Sequence, residues 1–280
     1  IISVDSAQIY RGFNIGTAKP IPEELTRYPH HLLDFKGPCE RYSVNEFKID
    51  VEKVSSQIYK RNKIPILVGG TMMYFNSLVK PLNEMPESTP EARKNVEKDL
   101  DMHGLDEMYK KLSKIDPTIV KKIKGTDKQR IMRALEVYYI TGKPLSFYHK
   151  PKMKPDTNYK LLKIALIPSD RALLNSIIEV RVNDMLKNGF IEEVESLIKN
   201  NPSLDLTYPA LRSVGYKQVY EHIIGIISFD DLTEKIVIAT RQLAKRQMTW
   251  IRGMDNLLMI DPFDKNFDIT ITNSVRKFLE

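Results

Sequence analysis

Ile64-Pro65-Ile66-Leu67-Val68-Gly69-Gly70-Thr71 is a short apolar run that stops at two glycines and a hydroxyl. Three other stretches share this form: residues 1–4 before Asp5, 161–167 before Pro168, and 257–260 before Asp261-Pro262. Short apolar runs bounded by breakers read as strands buried on both faces. Helical patterns separate them, so the expected architecture is an alternating α/β fold around a parallel sheet. Upstream of Ile64, Ser43-Val44-Asn45-Glu46 has the spacing of a capping box. Val44, Phe47, Val51, Val54 and Ile58 follow at steps of three and four, which predicts a helix with one apolar face on the sheet.

The pattern changes near Met85. Pro86, Thr89-Pro90 and Asp116-Pro117 punctuate short polar helices as far as Gly142-Lys143-Pro144. No strand signal occurs there, which predicts an all-helical insertion over 86–156, with a Pro/Lys-rich return at 150–155. The α/β core is then 1–85 with 157–280. Further helices are expected over 171–188, closed by Gly189, over 190–200, stopped before Pro202, and over 229–252, between Ser228 and Gly253.

Composition narrows the class. The 280 residues carry 43 Lys+Arg against 36 Asp+Glu, a formal charge of +7 that suggests an anionic partner. At 42% hydrophobic residues the chain has enough apolar matter for a packed core and is not a disordered tail. No apolar run approaches the ~20 residues of a membrane span. Cys39 is the single cysteine, so neither an internal disulfide nor a cysteine-built zinc site is expected. The first residues have no signal-peptide pattern, and the expected setting is cytoplasmic. The five histidines show no metal-ligand spacing, and no metal-binding histidine is assigned.

Ligands of open parallel sheets bind beyond the carboxyl ends of the strands. Two of those ends are polar here, Asp5-Ser6-Ala7-Gln8 and Gly69-Gly70-Thr71. Adjacent strands would turn a carboxylate and a hydroxyl toward one crevice, with glycines allowing close backbone approach. The bland reading makes Asp5 a turn cap and the glycines a tight turn. Gly16-Thr17-Ala18-Lys19-Pro20 is too short for a phosphate loop and reads by default as a surface loop. Three basic clusters stand out: Lys128, Arg130 and Arg133; Arg212 with Lys217; and Arg241, Lys245 and Arg252 on one face of the last long helix. Ile236, Ala239, Leu243 and Trp250 fall on the opposite face, as if to anchor it. A solvated charged face and a phosphate-backbone site are both open on this evidence. Arg181 lies mid-helix, where it can snorkel, pair with an acid, or meet an anionic leaving group.

These segments together resemble the bacterial tRNA dimethylallyltransferases. The resemblance rests on Ile2-Ser3-Val4-Asp5-Ser6-Ala7-Gln8-Ile9-Tyr10-Arg11-Gly12, Ile15-Gly16-Thr17-Ala18-Lys19-Pro20 and Val68-Gly69-Gly70-Thr71-Met72-Met73-Tyr74-Phe75. It continues through Asp127-Lys128-Gln129-Arg130, Arg133-Ala134-Leu135-Glu136-Val137, Gly142-Lys143-Pro144 and Ser213-Val214-Gly215-Tyr216. It closes with Ala239-Thr240-Arg241-Gln242-Leu243-Ala244-Lys245-Arg246-Gln247, Trp250 and Arg252. It implies a P-loop-type α/β core, and transfer of a dimethylallyl group from its diphosphate to N6 of the adenine at tRNA position 37. Magnesium is the implied cofactor.

The resemblance also implies roles. Asp5 is the expected base, with Thr71 and Arg181 near the donor. Asp5, Ser6, Ala7, Gln8, Thr71 and Arg93 are expected to face the tRNA anticodon stem-loop. So are Gln129, Arg130, Ile131, Met132 and Arg133, and Arg212, Ser213, Val214, Gly215, Tyr216 and Lys217. The last such segment is Lys245, Arg246, Gln247, Met248, Thr249, Trp250, Ile251 and Arg252. Members of the family carry a phosphate loop just upstream of the strand that opens this chain. The pattern G-x-x-x-x-G-K-[ST] does not occur in the sequence. Truncation or a further N-terminal segment is the expected reason; a chain complete as it stands would bind tRNA with little turnover. A monomer is expected. The rival expectations are a prenyltransferase acting on free AMP, ADP or ATP, a tRNA-binding module without activity, and a small-metabolite P-loop kinase.

Overall fold

The computed structural model describes residues 1–80, 83, 85–149 and 159–280. The return expected at 150–155 lies outside them. The chain divides into two compact units, Ile1–Val79 with Thr157–Glu280, and Lys80–Asp156.

The first unit contains four short strands, β1 (Ile2–Ser3), β2 (Leu67–Val68), β3 (Lys163–Leu166) and β4 (Leu257–Ile260). They pair as two parallel ribbons, β1 with β2 and β3 with β4, rather than as one continuous sheet among the described residues. Its helices are α1 (Pro22–Arg27), α2 (Val44–Lys60) and α3 (Met72–Val79), then five in the C-terminal part. The second unit holds α4 (Pro90–Ile115), α5 (Pro117–Val120), α6 (Lys128–Thr141) and α7 (Leu145–Tyr148), and no strand among the described residues. Back in the first unit follow α8 (Arg171–Lys187), α9 (Phe190–Asn200), α10 (Tyr216–Ile223), α11 (Phe229–Arg252) and α12 (Phe267–Leu279).

The capping box of α2 forms as its sequence dictates. Ser43 Oγ accepts from the Glu46 amide at 3.2 Å, and Glu46 accepts from the Ser43 amide at 2.7 Å. Phe47, Val51 and Ile58 are then buried with Ile2, Val4 and Tyr74 beside β1. A larger core gathers Tyr10, Phe13, Phe190, Leu211, Tyr216 and Ile236 between the early loops and α8 to α11. Burial of the strands on both faces holds for β1 alone. Ile66 and Val68, Leu166 and Met259 are more than half exposed.

In the second unit α4 and α6 pack together around Val96, Met108, Leu112, Ile131 and Leu135. Asp127 caps α6 by accepting from the Arg130 amide at 3.3 Å, and Gly142 ends it at φ +67°. Leu135 is fully buried. Leu135→Ala should cost ~2–5 kcal/mol by urea unfolding, the transfer loss plus the cavity left behind. A loss under ~1 kcal/mol would contradict this packing.

Candidate active site

Parallel pairing of β1 and β2 puts their carboxyl ends side by side, as the sequence suggested. The Val4 amide donates to the Val68 carbonyl at 2.7 Å, and the Thr71 amide donates to the Val4 carbonyl at 3.1 Å. Gly69 makes this approach possible: a Cβ there would lie 2.2 Å from the Val4 carbonyl oxygen. Thr71 Oγ1 accepts from the Ser6 amide at 2.9 Å and lies 3.2 Å from Ser6 Oγ, to which it donates. A hydroxyl pair therefore bridges the two strand ends.

Asp5 starts a turn in which its Oδ1 accepts from the amides of Ala7 at 2.7 Å and Gln8 at 3.1 Å. Its Oδ2 accepts no hydrogen bond among the described residues. The bland reading of Asp5 as a turn cap thus accounts for one carboxylate oxygen and leaves the other open in a half-buried position. Gln8 is held at both ends of its amide: Oε1 accepts from Ser3 Oγ at 3.1 Å, and Nε2 donates to the Thr17 carbonyl at 3.2 Å. From α11, Gln247 Nε2 donates to the Gly70 carbonyl at 3.0 Å, so the last long helix also reaches this crevice.

Three buried phenols lie near these segments. Burial pushes Tyr10 up to about 12 against the pull of Arg41 and Arg212. Burial, helped by the charges of Tyr10, Asp5 and Glu46, raises Tyr74. Burial, then the Glu193 charge, raises Tyr216. All three stay neutral at neutral pH.

The segment Gly16 to Pro20 is no loose surface loop. A Cβ on Gly16 would fall 2.2 Å from the Phe190 ring. The Lys19 side chain is 3% exposed, and its ammonium donates to the Tyr10 carbonyl at 2.9 Å and to Asp34. Short sequence patterns miss this because the partners lie far along the chain.

The cationic clusters differ in how free they are. Arg181, Arg212, Lys217, Lys245, Arg246, Thr249, Trp250 and Arg252 are exposed, while Met248 and Ile251 are half-buried. Arg241 does not join an open ridge, since it pairs with Glu179 of α8. Leu243 and Trp250 are exposed too; the anchoring stripe of α11 is Leu232, Ile236 and Val237. The buried side of the helix lies in its first half, and Gln247 faces the strand ends beyond it. Tyr216 has no exposed surface, and Gly215 is buried with it, so they shape the Ser213-Val214 turn from inside.

In the second unit Lys122, Lys124, Thr126, Asp127, Lys128, Gln129 and Arg130 line an open cavity of about 660 Å³. Arg93 and Arg133 converge on buried Glu136: Arg133 Nη1 donates to it at 2.9 Å, and Arg93 Nε lies 3.5 Å from it. Ser88 Oγ also donates to Glu136. Ile131 is fully buried and Met132 half-buried, so Ile131 holds α6 in its core. Glu136 had a visible signal, an acid set among Ala134, Leu135 and Val137.

The chain is an α/β protein whose parallel strand ends carry a carboxylate and hydroxyls and whose helices carry basic clusters. The family model described as IPP transferase matches residues 8–254. The chain belongs to that family. It is 46% identical over 281 residues to the tRNA dimethylallyltransferase of Legionella pneumophila strain Paris, covering 100% of this chain and 89% of the relative. The crystal structure of the tRNA isopentenylpyrophosphate transferase of Bacillus halodurans superposes with a TM-score of 0.67 at 31% identity, over 99% of this chain and 88% of that one. A eukaryotic dimethylallyltransferase acting on tRNA superposes with a TM-score of 0.73 at 26% identity, over 99% of this chain and 72% of that one.

The two strand-end glycines should respond differently. Gly69→Ala drives a Cβ into backbone and should cost at least ~1–3 kcal/mol in chemical unfolding. Gly70→Ala meets only the mobile end of the Gln247 amide and should cost clearly less. Equal losses would contradict the close approach of β1 and β2.

Proposed function

We propose that the chain transfers the dimethylallyl group of dimethylallyl diphosphate to N6 of the adenine at position 37 of tRNA. The observation that carries this reading is the Asp5 carboxylate, fixed through one oxygen and open at the other, beside the Ser6–Thr71 hydroxyl pair. The exocyclic amine of adenine is a weak nucleophile because its lone pair is delocalised into the ring. Asp5 Oδ2 accepts a hydrogen bond from N6 and orients that lone pair toward the allylic carbon. The N6–C1 bond forms as the C1–O bond breaks; its electron pair leaves on the diphosphate, and the N6 proton passes to Asp5. The hydroxyls of Ser6 and Thr71 and the guanidinium of Arg181 serve the leaving diphosphate, whose negative charge grows in the transition state.

No group of three or more acidic, histidine or cysteine side chains among the described residues forms a protein cage for a metal. Magnesium needs none, since it takes one or two protein oxygens together with substrate phosphate and water. The oxygen-only donors Ser6 and Thr71 fit that demand. When bound, Mg²⁺ supplies charge neutralisation to the diphosphate.

An anticodon-loop adenine is already single-stranded and costs only a few kcal/mol to unstack. We assign the helical unit, with its basic cavity and with Arg93 and Arg133, to the anticodon stem-loop, together with Arg212 and Lys217 and the exposed end of α11. Among the described residues no helix is long and apolar enough to cross a membrane.

Incubation of the full chain with tRNA and dimethylallyl diphosphate, followed by nucleoside analysis, should yield N6-dimethylallyladenosine; product on AMP but not on tRNA would overturn the choice of acceptor. Asp5→Asn should lower kcat by ~10²–10⁴-fold with little change in tRNA affinity. If roughly 5–8 phosphates are neutralised, log K against log salt should have a slope between about −4 and −7. A flat response would remove the phosphate-tracking interface.

A further inference from the structure

Glu193 sits in the first turn of α9, just after Gly189, whose φ of +93° lets the chain enter that helix. Its carboxylate gathers donors from two distant segments. Oε2 accepts from the amides of Asn14 at 3.1 Å and Ile15 at 2.8 Å. Oε1 accepts from the Tyr216 hydroxyl at 2.6 Å and, more weakly, from the Gly16 amide at 3.4 Å. Successive amides turned inward make an anion-binding nest. Here the nest is filled by the protein's own acid, packed against rings that leave Gly16 no room for a side chain.

The latched segment is folded tightly. Thr17 Oγ1 donates to the Phe13 carbonyl at 2.7 Å, and the Lys19 amide donates to the Asn14 carbonyl at 3.0 Å. That fold turns the carbonyls of Thr17 and Ala18 toward Gln8 Nε2, at 3.2 Å and 3.5 Å. Gln8 in turn supplies one of the two amides that fix Asp5. Hydrogen bonds joined by short stretches of chain thus link Glu193 through residues 14–18 and Gln8 to the carboxylate at the end of β1. Another branch runs through Tyr216 into the Arg212 to Lys217 segment.

We propose that Glu193 is a positioning residue for prenyl transfer: through the 14–18 turn and Gln8 it sets the Asp5 carboxylate against the acceptor amine. This rests on the assignment of Asp5 above. Its role is kinetic as well as structural, since a small misplacement of a reacting group can cost up to about 100-fold in rate.

The test uses the full chain with Glu193→Gln, which keeps the shape and one carbonyl for Asn14 and Ile15, and with Glu193→Ala. Saturating tRNA and dimethylallyl diphosphate should give kcat lowered roughly 10-fold for E193Q and up to about 100-fold for E193A. KM for the donor should stay within about twofold, which a donor-site defect would not produce, with kcat referred to the folded fraction measured by circular dichroism. Combined with Gln8→Ala, the E193Q loss should be strongly less than additive, as expected for one connected network. Amide hydrogen exchange should quicken at 5–8 and 14–18 while the middle of α9 stays protected. Unchanged exchange at 5–8 in E193Q would overturn the proposal whatever the activity, even if E193A fails to fold. So would a kcat within about twofold of the unsubstituted chain, or additive losses with Q8A. Faster exchange in E193Q with no prenyl transfer by the unsubstituted chain would instead count against the assigned reaction.

Discussion

The backbone contact between Gly69 and Val4 is the constraint on which the site depends. Two parallel strands end together, and the absence of a side chain at Gly69 lets the second strand turn across the carbonyl of the first. That turn delivers the Thr71 amide to Val4 and the Thr71 hydroxyl to Ser6. With the ends so joined, the Asp5 turn has one orientation relative to the hydroxyls. In the proposed reaction this corner supplies the Asp5 carboxylate and the hydroxyls of Ser6 and Thr71 together.

Support for that geometry comes from remote parts of the chain. Gln247 braces Gly70 from α11, and Glu193 braces the 14–18 turn from α9. Gln247 donates to one backbone carbonyl beside β2, and Glu193 accepts from three successive amides of the loop after β1. Such contacts fix loops more firmly than loop length alone suggests, because each leaves a polar group unsatisfied if broken. The helical unit is supported differently, by an apolar core along α4 and α6 and by Glu136 drawing Arg93 and Arg133 together.

Much of this was legible in sequence. The capping box at Ser43, the end of the polar helices at Gly142, and the polar ends after Val4 and Val68 followed from local rules. The α/β class with its helical stretch also followed, and the family resemblance supplied the roles proposed for Asp5 and the basic segments. What escaped notice was long-range. Glu193 reads as one more acid in a helix's first turn, and only its partners at 14–16 and 216 show what it holds. Arg241 looked like part of a cationic ridge but pairs with Glu179. The strands looked doubly buried, yet residues such as Val68 and Met259 are open, because periodicity reports apolarity and not which element covers it.

The central claim is that Asp5 acts directly on the acceptor amine. A crystal structure of the full chain with an anticodon stem-loop and an unreactive donor analogue tests it most directly. Asp5 Oδ2 should lie within about 2.6–3.2 Å of adenine N6, with Oδ1 still on the Ala7 and Gln8 amides. An adenine seated in the crevice whose N6 meets another group, with Asp5 turned away, would contradict it.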